Sequence, residues 1–120
     1  MAHIPDGGRI ISIASCLSDR VAFGGVTVYS ATKSALESFN RGLAREIGSR
    51  QITVNLVKPG PIDTDMNPAD GPYADAAKAV LALGHCGETR DIAEAVAFLA
   101  GPGAKYITGA SLVMDGGANA

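Results

Sequence analysis

Arg9-Ile10-Ile11-Ser12-Ile13-Ala14 decides the fold, because its apolar residues fall at consecutive rather than alternate positions. A short, β-branched run of this kind is a strand with both faces covered, the habit of a parallel sheet. Outward from it, the polar and glycine-rich stretch from Ser15 to Thr27 reads as a loop. From about Val28 to Gly48 the period becomes helical: Ala31, Ala35, Phe39, Leu43 and Ile47 recur at near-fourfold spacing, while Glu37, Arg41 and Arg45 take other faces. A second β-branched run, Ile52-Thr53-Val54-Asn55-Leu56-Val57, is stopped by Pro59-Gly60-Pro61. Strand, helix, strand in that order predicts two parallel strands joined by a right-handed crossover, hence an α/β sheet.

The remainder extends the pattern. The loop from Lys58 to Pro72 holds four of the six prolines, and loops of that length more often serve as lids than as spacers. A helix is predicted over Tyr73–Leu83. A second covers Thr89–Ala100, with Ile92, Val96 and Leu99 as its apolar stripe and Gly101-Pro102-Gly103 as its stop. Ile107-Thr108-Gly109 reads as a turn, and Ala110–Met114 as a third strand before Asp115-Gly116-Gly117. There is no internal repeat, linker or low-complexity tract, so residues 1–120 read as one domain.

With 47% hydrophobic residues, 5% aromatics and no Trp, the core has to be built from small aliphatic side chains. Ten basic and twelve acidic residues are interspersed, giving a net charge of −2. That balance argues against a nucleic-acid or anionic-membrane surface. Cys16 and Cys86 form neither a CxxC pair nor a disulfide framework, which suits reduced thiols and a cytoplasmic location. The first eight residues resemble no leader, and no apolar run reaches the length of a membrane span, so a soluble protein is expected.

Chemistry concentrates at Tyr29 and Lys33, four apart on one helix face. An ammonium near a phenol favours the phenolate and makes a proton-transfer pair. Alone, such a pair arises readily by chance, and a solvated helix start explains it. Its setting is more telling. Ser15 follows the first strand and Pro59-Gly60 the second, and in an open parallel sheet ligands bind at that carboxyl edge. A hydroxyl donor, a phenol and a cation in one cleft suit the polarisation and protonation of a carbonyl.

Taken in order, Gly8–Ser15, Tyr29-Ser-Ala-Thr-Lys33, Leu43-Ala-Arg-Glu46, Ile52–Val57, Pro59-Gly-Pro-Ile-Asp-Thr64, Ala97-Phe-Leu-Ala100, Tyr106-Ile-Thr-Gly109 and Asp115-Gly-Gly117 make the chain resemble the carboxyl-terminal half of the short-chain dehydrogenases/reductases. Asp19-Arg20-Val21 and Pro59–Asp65 followed by Asn67–Pro72 look most like the branch with a cyclic-di-GMP-binding biofilm dispersal mediator and 3-oxoacyl-acyl-carrier-protein reductases. The resemblance implies the last three strands of a Rossmann-like doubly wound parallel sheet. It implies an NAD(P)-dependent oxidoreductase acting on a carbonyl or secondary alcohol, with Ser15 orienting the carbonyl, Tyr29 handling the proton, and Lys33 binding the nicotinamide ribose and lowering the Tyr29 pKa. Pro59, Gly60, Ile62 and Thr64 match the stretch that meets the nicotinamide carboxamide. The interval from Ser15 to Tyr29 is one residue longer than in many members, leaving Ser12 and Ser18 as fallback serines. Relatives commonly form homo-oligomers through the long helix and last strand.

Other residues read more plainly. Cys16, beside the serine, is a small core or loop residue before it is a nucleophile. His85 and Cys86 are sequence neighbours whose side chains diverge, which speaks against a dyad or metal pair. His3 sits near a frayed terminus. Asp63 and Asp65 suit lid turns, and Arg41, Arg45 and Arg50 a solvated face. Gly101-Pro102-Gly103 follows a helix and lacks a third glycine, so it is a helix stop rather than a phosphate turn.

The family's glycine-rich phosphate turn, its residue that selects NAD or NADP, and its upstream Asn have no counterpart here, so cofactor preference is unreadable. The strand at Arg9–Ala14 is then a bare apolar edge. Two alternatives stand beside the oxidoreductase: a cyclic-di-GMP-binding regulator of the same fold, and an inactive truncated product or one completed by another chain. The 120-residue chain by itself is expected to fold poorly, or to bind NADH and NADPH far more weakly than a full-length relative. A side-by-side titration checks this, and equal affinity would overturn it.

Overall fold

The central strand of the sheet is β2 (Thr53–Pro59), in which every residue from Thr53 to Lys58 is buried. In this computed structural model, which describes residues 3–120, β2 lies between β1 (Arg9–Ile13) and a strand at Ser111–Met114 in a parallel three-stranded sheet. Arg9 pairs with Thr53 through to Ile13 with Val57, and Leu56 pairs with Ser111 through to Pro59 with Met114. Consecutive β2 side chains point to opposite faces, so two cores form. Val54 joins Ile52, Leu43, Ala44 and Ile47 on one face, and Val57 joins Leu99 and Ala104 on the other.

Helix α1 (Thr27–Ile47) supplies the first of those cores. Its buried residues are Ser30, Asn40, Leu43, Ala44 and Ile47, whereas Ala31, Ala35 and Phe39 are exposed. The predicted fourfold stripe therefore describes only the end of the helix. Each step of four residues overshoots a full turn by about 40°, so a stripe of four such steps drifts around the cylinder and cannot keep to one face.

Between the strands lie a two-residue β3 (Ile62–Asp63), a short α2 (Ala74–Ala79), a two-residue β4 (Gly87–Glu88), α3 (Thr89–Ala100) and then β5, the strand at Ser111–Met114. β3 and β4 pair in parallel, Ile62 with Gly87 and Asp63 with Glu88. A Cβ on Gly87 would stand 2.8 Å from the tip of the Ile62 side chain, which would have to swing aside. Helix α2 is six residues long rather than the predicted eleven-residue span of Tyr73–Leu83. Its continuation is taken over by a tertiary bond from Leu83 N–H to the Gly116 carbonyl (3.1 Å) and by Gly84 at φ +73°. Helix α3 has the predicted bounds, and its start is held by the Glu88 N–H donating to the Asp91 carboxylate at 2.7 Å.

β1 is half-buried rather than covered on both faces, as expected of an edge strand, and Ile13 is exposed. Arg50, predicted on a solvated face, instead holds the turn before β1. Its guanidinium pairs with Asp6 at 2.8 Å and donates to the Ile4 carbonyl.

Before β5 begins, side chains of β2 and the loop at 107–110 complete the ladder. Val54 N–H donates to Thr108 Oγ1 (3.0 Å), Asn55 Nδ2 donates to the Ile107 carbonyl (2.8 Å), and Ala110 N–H donates to Asn55 Oδ1 (3.2 Å). Asn55 is 1% exposed, so its removal strands a carbonyl and an N–H away from water. Asn55→Ala should cost about 2 kcal/mol or more, read as a lower urea midpoint with an unchanged slope; an unchanged midpoint would refute the role of these bonds.

Candidate active site

All three strands of the main sheet deliver their carboxyl ends to one edge, where Ser15, Gly60 and Asp115 follow β1, β2 and β5. The segments are stitched together there. Gly60 N–H donates to the Met114 carbonyl at 2.9 Å, Asn119 Nδ2 to the Cys16 carbonyl at 2.8 Å, and Lys33 Nζ to the Ile13 carbonyl at 3.0 Å. Asp115 closes its own turn by accepting from the N–H groups of Gly117 (2.9 Å) and Asn119 (3.1 Å). Gly60 is packed so tightly that a Cβ would lie 2.5 Å from the Asp115 Cα, which explains glycine after Pro59.

Ser15 is buried and caps a 3₁₀ turn at Cys16–Ser18, its Oγ accepting from Leu17 N–H at 3.2 Å. A hydroxyl that accepts in this way retains its O–H for donation. Tyr29 and Lys33 lie in the first two turns of α1, with the ammonium 5.7 Å from the centre of the Tyr29 ring. Tyr29 is 45% exposed. The Lys33 bond reaches the carbonyl two residues before Ser15 and so ties the start of α1 to the end of β1.

The other predicted residues lie farther along the chain. Pro59 ends β2 beside Met114. Ile62 lies in β3 against Gly87, and Thr64 forms a small bridge with Asn67, whose N–H donates to Thr64 Oγ1 at 3.2 Å. Asp63 accepts from Ala69 N–H at 2.8 Å, a lid-turn role as expected. Cys16 is buried, and burial first, then the negative charge of Asp115, pushes its thiol pKa up, away from a reactive thiolate. His85 Nδ1 lies 2.9 Å from the Cys86 carbonyl, and Cys86 is buried. Among the described residues no group of three or more His, Cys, Asp or Glu could hold a metal ion.

A cavity of about 620 Å³ opens between Ile62, Leu83, His85, Ile92, Met114 and Gly116, on the lid side of the same edge; Ser15, Tyr29 and Lys33 do not line it. Among the described residues no helix is long and apolar enough to cross a membrane.

Sequence reasoning missed Lys58. Although it is only 2% exposed, its ammonium forms ion pairs with Asp19 and, at 2.5 Å, with Glu37, to which Ser18 Oγ also donates at 3.1 Å. A lysine inside an otherwise apolar run was the available signal, since a buried charge demands partners.

A family profile described as enoyl-(acyl carrier protein) reductase matches residues 1–119. The chain belongs to the short-chain dehydrogenase/reductase family. It is 48% identical over 114 residues to the cyclic-di-GMP-binding biofilm dispersal mediator protein of Escherichia coli (strain K12), covering 95% of this chain and 48% of that protein. It is likewise 48% identical over 112 residues to a 3-oxoacyl-acyl-carrier-protein reductase of Pseudomonas aeruginosa, covering 92% of this chain and 44% of the relative. A blue fluorescent protein from a metagenomic library, solved in complex with NADPH, superposes with a TM-score of 0.97 at 62% identity, over 99% of this chain and 48% of that one. The chain thus spans about half the length of the relatives it matches.

The hydrogen bond from Lys58, more than offsetting the burial that opposes it, holds the Glu37 carboxyl below its ordinary value of 4.5. A carboxylate whose pKa is depressed by folding adds stability above its unfolded pKa and loses it as pH falls through the folded one. The urea midpoint of the wild type should therefore fall more steeply than that of Glu37→Gln as pH drops from about 5 to about 3. Parallel curves would refute the coupling.

Proposed function

We propose that this chain carries the proton-transfer face of an NAD(P)-dependent oxidoreductase that reduces a carbonyl or oxidises a secondary alcohol. The observation that carries the reading is the Lys33 ammonium, bonded to the carbonyl of Ile13 beside Ser15 and set over the Tyr29 ring. An ammonium has three N–H donors. The bond to Ile13 uses one of them, and the others suit the hydroxyls of a nicotinamide ribose. Pro59, Gly60, Ile62 and Thr64, along the segment leaving β2, are the residues that would meet the carboxamide. A bound nicotinamide would supply the hydride as NADH or NADPH in reduction and accept it as NAD or NADP in oxidation.

The chain's own residues manage the oxygen. Ser15 donates its free O–H to the carbonyl and fixes its direction. Tyr29 gives its phenolic proton to that oxygen during reduction and recovers it during oxidation. Lys33 holds the phenol and the ribose in register. NADPH in the metagenomic relative supports this assignment of the cofactor class. The substrate is a small carbonyl or alcohol, consistent with reductases among the relatives.

The 48% identity to a cyclic-di-GMP-binding protein favours a second reading, in which the same fold recognises that dinucleotide. The two unpaired cysteines suit cytoplasmic residence. Exposed Val28 and Phe39 on α1, with Leu112 and Val113 on β5, support assembly as a homo-oligomer.

Tyr29→Phe tests the mechanism. It keeps the ring and removes the proton carrier, so turnover should fall about 10²-fold or more while NAD(P)H affinity stays near the wild-type value. Cyclic-di-GMP binding without turnover in the wild type would instead support the regulator.

A further inference from the structure

Lys58 is the most deeply buried charge among the described residues, and the proton-transfer chemistry does not use it. Its ammonium joins three elements. It rises from the end of β2, pairs with Asp19 at the end of the 3₁₀ turn that Ser15 caps, and pairs with Glu37 on α1, the helix that carries Tyr29 and Lys33. Two further bonds close the figure: Ser18 Oγ donates to Glu37 (3.1 Å), and Ser34 Oγ donates to the Ser18 carbonyl (3.0 Å). Glu37 is also approached by Arg41 at 3.4 Å.

A buried ion pair is a costly way to hold a fold together. Desolvation cancels much of the attraction, and replacing every member of such a cluster by apolar groups is often neutral, although removing one member alone leaves the others unpaired. A methionine at position 58 would suit the apolar face that Val54 and Leu56 share with α1. What the charge adds is geometry, because an ammonium between two carboxylates fixes where three segments meet to within a hydrogen bond's tolerance. The segment so fixed is the 3₁₀ turn whose first bond is made by Ser15 Oγ.

We infer that Lys58 is a positioning residue: through Asp19 and Glu37 it sets the Ser15 turn at the height on α1 that brings the serine hydroxyl into register with Tyr29 and Lys33. This rests on the oxidoreductase reading. Lys58 touches neither substrate nor cofactor in this scheme. It acts by fixing a loop that Ser34, Glu37 and Asn119 also hold.

Two variants test the inference. Lys58→Met keeps the volume and removes the charge, whereas Asp19→Asn weakens the same link from the half-exposed side and leaves the interior untouched. In both, kcat for carbonyl reduction should fall by about tenfold to a hundredfold. In both the cofactor KM should stay near wild type, and amide hydrogen exchange at Leu17, Ser18 and Asp19 should quicken while that of β2 does not; the thermal midpoint should hold in Asp19→Asn and fall in Lys58→Met, which leaves Glu37 without its buried cation. Unchanged kcat in both variants overturns the inference. So does a loss of kcat matched in Asp19→Asn by a lowered midpoint and a raised cofactor KM, which would mark Lys58 as merely structural. A wild-type protein that binds NADPH or NADH and still turns over no carbonyl overturns the oxidoreductase reading together with this one. An active wild type beside equally active variants removes this one alone.

Discussion

Everything in the fold is arranged around the requirement that β2 be sealed on all sides. A strand without water on either face must find protein partners for each backbone N–H and C=O and apolar cover for each side chain. β1 and β5 supply the ladders, α1 and α3 the cover. Where β5 has not yet begun, Asn55 and Thr108 stand in for missing ladder bonds with side-chain atoms. The polar residues inside β2 are therefore part of the same solution as its valines. Lys58 extends it to the strand's end, where apolar cover from α1 gives way to paired charges.

That constraint also places the reactive edge. Parallel strands discharge in one direction, so burying β2 between two parallel neighbours brings the residues after β1, β2 and β5 side by side. Ser15, Gly60 and Asp115 are neighbours for this reason, and the start of α1 is close because a crossover from β1 to a parallel β2 has to begin at that edge. The chemistry is a corollary of the topology, with the residue types chosen to exploit it.

The main sheet was legible because its signals are local: β-branched runs for the strands, a change of period for α1, glycine and proline for the stops. Helix α3 was read to the residue, since Glu88 and Asp91 cap one end and Gly101 ends the other. The failures have physical causes too. β3 and β4 are two residues each, too short for any periodicity, and are defined by their pairing with each other. Helix α2 stops early because a carbonyl of the distant Gly116 captures Leu83. The outward turn of Ala31, Ala35 and Phe39 follows from helical geometry that fourfold counting glosses over. Tyr29, Lys33 and Ser15 were singled out by spacing and strand ends, and the structure puts them after β1 and at the start of α1. Lys58 was overlooked because its meaning lies in Asp19 and Glu37, neither of which is near it in sequence.

The bond from Asn119 to the Cys16 carbonyl spans 103 positions of the chain. It fastens the turn at 115–119 to the loop that carries Ser15, and Asp115 orders that turn from within. A polypeptide leaves the ribosome amino end first, and its early elements begin to organise while later ones are still being made. β1, α1 and β2 can therefore associate during translation, but the serine loop gains its final anchor only after residue 119 has cleared the exit tunnel. The β1–α1–β2 unit precedes this tie in time, so a chain stalled before residue 119 would hold that unit with its Ser15 loop not yet fastened.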